Sequence, residues 1–254
     1  MSLGALDLGL IGAAALAAGA VNALAGGGTL ITFPALTAVG IPALDANITN
    51  TVALSPGYIG GTLAQRPDLQ GQRARVRAVA IPAIAGGLVG GALLLIAGAA
   101  TFRALVLWLI LIATGLLAID PIVKRRVRAR LSHPTAHGSL PLTGFVAFAG
   151  SVYGGFFGAG LGIILLALYS LVVPDTLVRI NALKQATSFA ANVSAALFFV
   201  FSGHVVWEAA VVMAVGALVG GTIAGRIVRY VNPTALRIVV VVIGLIVAVV
   251  FFVG

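Results

Sequence analysis

The run Ala18-Gly19-Ala20-Val21-Asn22-Ala23-Leu24-Ala25-Gly26-Gly27-Gly28-Thr29 decides how this chain folds. It closes an apolar segment that begins near Leu8, and three consecutive glycines then interrupt it before a second, shorter apolar stretch. About 18 helical residues cover roughly 27 Å, close to the hydrocarbon thickness of a bilayer. Glycine clusters break helices, and a break at membrane depth is tolerated where the freed backbone groups line a cavity or meet protein.

Some 130 residues later the same order returns as Ala149-Gly150-Ser151-Val152, followed by Tyr153-Gly154-Gly155-Phe156-Phe157-Gly158-Ala159-Gly160. Pro42 then matches Pro174, Ile48 matches Ile180, Leu88-Val89-Gly90-Gly91 matches Leu218-Val219-Gly220-Gly221, and Ala104-Leu105 matches Ala235-Leu236. Shared order over that length is the mark of an internal repeat. Each half reads as five apolar segments: 8–25, 29–41, 45–65, 77–100 and 102–119, then 140–157, 159–173, 177–201, 205–228 and 233–252. The second of each set is short, which predicts a glycine-broken or re-entrant helix pair in each half. The expected organisation is a first membrane repeat (1–120), a basic linker (121–139) and a second membrane repeat (140–254).

Composition agrees. Of 254 residues 61% are hydrophobic and 8% charged, with mean hydropathy +1.17, which excludes an ordinary water-soluble domain. The fold class is all-α integral membrane, because the segments are apolar all round rather than alternating as barrel strands do. Met1 to Gly9 lacks the basic region of a cleaved signal, so the first segment is read as mature protein. With no cysteine, disulfides and thiolate chemistry are excluded. The net charge of +9, from 15 Lys and Arg against 6 Asp and Glu, sits mostly in two loops and implies membrane orientation rather than nucleic acid binding.

Arg66, Arg73, Arg75 and Arg77 form one cluster, and Lys124, Arg125, Arg126, Arg128 and Arg130 another. They place the loops 66–77 and 121–137 in the cytoplasm. In the second half the bias is reversed: Ser202-Gly203-His204 matches the first basic cluster, while Arg226 and Arg229 fall where the first half has its outer turn near Ala100. The halves are therefore expected to be oppositely oriented, with an odd number of crossings each and both termini outside. Inverted-topology repeats with paired helix breaks are a transporter signature, and the breaks mark the site.

Candidate site residues follow. Gly27, Gly28, Gly158 and Gly160 shape the breaks, and the helices starting at Thr29 and near Leu161 present amide donors and a partial positive charge to an anion. The alternative is close packing through small residues, the reading for Gly86, Gly87, Gly90, Gly91, Gly216, Gly220, Gly221 and Gly225. The third segments carry dense polarity: Asn47, Thr49, Asn50, Thr51 and Ser55, then Arg179, Asn181, Lys184, Gln185, Thr187, Ser188 and Asn192. An ionised Lys184 between apolar runs needs water, an acid or an anion, and the alternatives are snorkelling or pairing with Asp175. Asp7, Asp45, Asp68, Asp120, Asp175 and Glu208 lie at or near segment ends, leaving no midplane proton relay. No metal or cofactor is expected: His133 and His137 lie in the basic loop, and His204 with Glu208 is too sparse for a site. No midplane histidine partners the buried serines, so no enzyme is expected.

Ala18 through Leu30, then Pro34, Ala46-Asn47-Ile48-Thr49-Asn50, and Ala182-Leu183-Lys184-Gln185 in the second copy resemble the TauE/SafE group of sulfite and organosulfonate exporters. The similarity covers nearly the whole chain. It implies a secondary transporter that moves a small sulfur-containing anion, sulfite or a short sulfonate such as sulfoacetate, across a bacterial inner membrane. It also implies about eight spans. Combined with the residues above, Lys184 supplies charge, and Asn22, Thr29, Asn50, Asn181 and Gln185 supply hydrogen bonds to sulfonate oxygens. Coupling to H+ or Na+ stays open, with uniport, a protonated anion or a sodium site preferred over a protein proton shuttle. The other readings are an anion channel on the same repeat and a non-catalytic membrane scaffold.

Overall fold

The computed structural model describes residues 3–24, 27–131, 139–227 and 233–253. Ala25, Gly26, His133, His137 and Arg229 lie outside them, as do the terminal residues Met1, Ser2 and Gly254. Among the described residues every regular element is helical. In chain order they are α1 (Ala5–Leu24), α2 (Thr29–Ala38), α3 (Ala43–Ala64), a 3-10 turn (Arg66–Leu69), α4 (Arg73–Leu131), α5 (Leu140–Phe156), α6 (Leu161–Val172), α7 (Leu177–Val200), α8 (Trp207–Ile227) and α9 (Pro233–Val253).

α4 is two arms. At Gly98 the backbone leaves helical geometry (φ 71°, ψ 176°), a conformation open to glycine. A Cβ on Gly90 of the first arm would lie 2.1 Å from the Val152 carbonyl, and Gly160, a few residues further on, packs against Ala113 and Leu116 of the second arm. A straight helix would carry Ala113 roughly 35 Å beyond Gly90. The chain therefore doubles back at Gly98, as the two segments 77–100 and 102–119 require. The second arm continues to Leu131, so the cluster Lys124 to Arg130 is helical.

The short second segments turn back. α2 and α6 have 10 and 12 residues, about 15 and 18 Å, too short to cross a bilayer. Gly28 returns onto α1, where its amide donates to Asn22 Oδ1 at 2.8 Å. In the second pair Leu161 packs on Gly154, and Leu165 on Gly150 one turn earlier, so α6 runs back along α5.

Small residues set the packing between halves. α1 lies along α8, with Gly12 against Val212 and Gly220 against Leu16; the first arm of α4 lies along α5, with Gly86 against Phe148 and Gly90 against Val152. In both pairs the contacts advance in the same direction along the two helices, which are therefore parallel. By contrast α3 and α7 run antiparallel: Gln65 meets Asn181, Gly61 meets Gln185 and Ser55 meets Asn192.

Polarity is distributed as lipid demands. Large apolar side chains face outward, with Ile96 81% and Phe201 87% exposed, while Asn47 (0%), Thr49, Asn50, Ser151 and Thr187 are buried. By length and composition the stretches Ala5–Asn22 and Arg73–Arg130 qualify as membrane-crossing, with shorter apolar helices beside them. A ring cluster of Phe33, Phe102, Phe157 and Phe251 joins α2, α4, the second break and α9.

Candidate functional site

Two helix breaks and the two third helices meet in the interior. At the first break Gly27 takes a positive φ of 97° and packs against Leu117 of α4. Gly28 fits only as glycine, since a Cβ there would lie 2.6 Å from the Ala18 carbonyl oxygen. α2 then opens with Thr29, whose hydroxyl accepts from Asn50 Nδ2 at 3.3 Å. Thr32, one turn on, donates to Asn50 Oδ1 and lies 3.2 Å from the Gly28 carbonyl. Asn22, Gly28, Thr29 and Asn50 are thus brought together.

At the second break Gly158 and Gly160 have positive φ of 79° and 78°, and Gly160 caps the start of α6 in the left-handed conformation. The Tyr153 hydroxyl donates to the Ala159 carbonyl, and Asn47 of α3 donates from Nδ2 to the Phe156 carbonyl at 2.9 Å. The Phe156 carbonyl ends α5 and the Ala159 carbonyl lies between the helices, so neither has an intrahelical partner, and the two side chains satisfy them. A residue from the first half therefore supports the break of the second.

Lys184 crosses the first turn of α6. Its side chain runs beside Gly162, where a Cβ would sit 3.6 Å from Nζ and 3.7 Å from Cδ. Those are ordinary van der Waals separations, so the lysine stem lies in direct contact with the first turn of α6. Among the described residues the ammonium makes no hydrogen bond and no ion pair, and its charged neighbours are Lys124 and Asp120. It does not pair with Asp175. That carboxylate is taken by Arg75 and by Arg179, the latter at 2.9 Å. Burial alone would raise the Asp175 pKa, but hydrogen bonds from Arg179, the Thr176 amide and Arg75 hold it below the usual carboxylate range.

The other two expected site residues sit further along the α3–α7 seam. Gln185 packs against Gly61, and Asn181 donates to Gln65 Oε1 at 2.8 Å, about 22 Å along α3 from Asn50. Asn181 thus sits near the end closed by Arg75, Asp175 and Arg179 rather than at the breaks.

Two features had no counterpart in the sequence reading. Asp120, expected at a segment end, is 2% exposed inside the second arm of α4, one turn beyond Leu117; it pairs with Lys124 at 2.8 Å and Arg237 of α9 at 3.7 Å. At the start of α3, Asp45 pairs with His204 at 2.7 Å, and the Val206 amide donates to Thr49. His204 is thereby engaged by an acid from the other half rather than by Glu208. No group of three or more His, Asp or Glu side chains able to hold a metal occurs among the described residues.

A sequence-family model described as "Sulfite exporter TauE/SafE" matches residues 11–251. The chain is 26% identical over 243 residues to "Probable membrane transporter protein YfcA" of Escherichia coli K12, covering 94% of this chain and 87% of that protein. It is 27% identical over 224 residues to a "Probable membrane transporter protein" of Haemophilus influenzae, covering 87% and 85%. It is 26% identical over 218 residues to "Probable membrane transporter protein ORF9" of a Sinorhizobium species, covering 84% and 80%. No solved structure matches.

Proposed function

The chain belongs to the sulfite exporter TauE/SafE family of membrane transporters, and on that premise we propose that it is a secondary carrier of a small sulfur oxyanion, sulfite or a short organosulfonate such as sulfoacetate. The observation that carries this reading is Lys184 over the first turn of α6. A cationic ammonium and a helix N-terminus, itself partially positive, converge there with no anion paired to the lysine. An oxyanion completes such an arrangement, the ammonium acting as a point charge and the amides and Asn50, Thr29 and Asn22 as neutral donors. Gly27, Gly28, Gly158 and Gly160 let backbone approach the anion where a Cβ would block it.

Two inverted halves and alternating access form the mechanical part of the proposal. It is supported by the antiparallel run of α3 against α7 and by ties between halves at both ends of that seam: Asp45 with His204 at one, Asp175 with Arg75 at the other. Each acid stands near the start of a third helix, and its partner, His204 or Arg75, precedes or opens a fourth. A molecule tied at both ends favours a carrier over an open channel. If the α1–α2 and α5–α6 pairs each enter and leave the membrane on one side, whatever their depth, then α3 with the two arms of α4, and α7 with α8 and α9, give each half the odd count that the charge bias calls for. The basic ends then lie in the cytoplasm and both termini outside the inner membrane. Movement then consists of rocking one half against the other about the breaks.

The test is uptake of labelled sulfite and sulfoacetate into proteoliposomes, with H+ and Na+ gradients imposed separately. Saturable uptake by the wild type, lost in Lys184→Ala but partly kept in Lys184→Arg, is expected. Flux that rises without saturation would favour a channel, and absence of uptake of either anion by folded protein under every gradient would reject the substrate class.

A further inference from the structure

On the outward side of the first half of α4, two concavities adjoin. One, of about 360 Å³, lies at the basic end and is lined by Gln72, Arg75, Ser139, Thr143, Asp175 and Arg179 among others. The other is an apolar groove of about 540 Å³ between α4 and α5, lined by Ala78, Ile81, Pro82, Leu140, Phe145 and Phe148. Leu140 lines both, so they adjoin at that residue, polar at the loop end and apolar along the span. Ile81 and Phe145 are 75% and 66% exposed, which places the groove on the lipid-facing surface.

The geometry points to a binding site for one anionic phospholipid of the leaflet at the basic end, its phosphate in the polar pocket and an acyl chain in the groove. This goes beyond the carrier reading and shares with it only the membrane placement of the chain.

Charge supports that occupant. Arg75 and Arg179 share one carboxylate, Asp175, which leaves the pocket with an excess of one positive charge. Each guanidinium has five N–H donors, and the contacts made to Asp175, Gln72 and the Gln70 carbonyl use only part of them. Exposed Arg73 and Arg77 lie in the same turns of α4 outside the pocket, and add a diffuse attraction for the anionic leaflet. The internal repeat supplies a comparison: at the matching end of α8 stand His204, Trp207 and Glu208 instead of an arginine cluster. A zwitterionic lipid would fill the groove equally well but gains nothing from the net charge. A free phosphate would use the pocket but not the groove.

The experiment is native mass spectrometry of the full chain in detergent, loaded with phosphatidylglycerol or with phosphatidylcholine carrying the same acyl chains. Phosphatidylglycerol is expected to be retained about tenfold more than phosphatidylcholine. Arg179→Gln should lower that retention about fivefold, the value of one cationic side chain near a lipid surface. Because Arg179 also holds Asp175, a second variant is needed. Ala74→Trp fills the polar pocket from an exposed position of α4 and leaves both ion pairs in place; it should abolish the preference at unchanged melting temperature. Equal retention of the two lipids, wild-type retention in Ala74→Trp, or complete displacement of phosphatidylglycerol by equimolar glycerol phosphate each overturns the site. Retention is read without a gradient, so its failure leaves the uptake result standing, and failure of uptake leaves the retention result standing.

Discussion

Asn47, on α3 of the first half, donates to the main-chain carbonyl of Phe156 at the broken end of α5 in the second, 2.9 Å away and fully buried. Its Oδ1 has no partner among the described residues. Asn47→Leu keeps the volume and removes the donor, leaving the Phe156 carbonyl unsatisfied in an apolar interior. The expected loss is about 1–3 kcal/mol in stability, with a larger fall in uptake than Lys184→Arg causes. Thermal melting and proteoliposome uptake on the same preparation check it, and an unchanged melting temperature would show that the break holds itself.

Asp120 gives the sharpest electrostatic expectation. Asp120 is buried and Arg237 16% exposed, whereas Lys124 is 43% exposed and keeps its water, so removing the acid strands chiefly Arg237 and Asp120→Asn should cost about 1–3 kcal/mol. The double variant Asp120→Asn/Arg237→Gln should recover part of that loss. The same variant decides coupling: if proton-driven uptake vanishes while sulfite binding persists, Asp120 is the coupling acid and the preference against a protein proton shuttle is wrong.

Acid should open the end closed by Asp175. Its pKa is held below the usual carboxylate range, so the carboxylate stabilises the fold fully above its ordinary value, and that contribution is lost as pH falls through the lowered one. Melting temperature followed from neutral pH downward should therefore fall more steeply in the wild type than in Asp175→Asn, which lacks the titrating group. Parallel curves would contradict this.

Glycines divide into two kinds. A Cβ on Gly220 would lie 1.9 Å from the Leu16 carbonyl, so Gly220→Val should separate α8 from α1 and abolish folded protein in size-exclusion profiles. Gly57 has open space around it, and Gly57→Ala should be neutral or raise stability by about 0.5–1 kcal/mol through helix propensity.

Much of this architecture could be read from apolar run lengths. The segments 29–41 and 159–173 become α2 and α6, and their shortness is why they fold back. The turn near Ala100 is at Gly98, where a glycine conformation forms it. Burial of Asp120 was not legible, because hydropathy ends the apolar run at Ile119 while the helix runs on to Leu131 and its partner Arg237 arrives from another helix. Lys184 was found from its charge amid apolar sequence, but its neighbour Gly162 was not, since a lone glycine in an apolar run has many uses. Partners such as Asn47 with Phe156, or Asp45 with His204, are separated by more than a hundred positions, and no local pattern encodes them.

The lengthwise pairing of α1 with α8 also sets a timetable for biogenesis. Gly12 cannot meet Val212 until the ribosome has added about 200 more residues, a delay of roughly 10–40 s at ordinary elongation rates. Throughout that interval the small-residue face of α1 has only lipid or insertion machinery to cover it. The α8-facing side of α1 is thus docked about 200 residues after it is made, and any slowdown in the second half of translation lengthens its exposure.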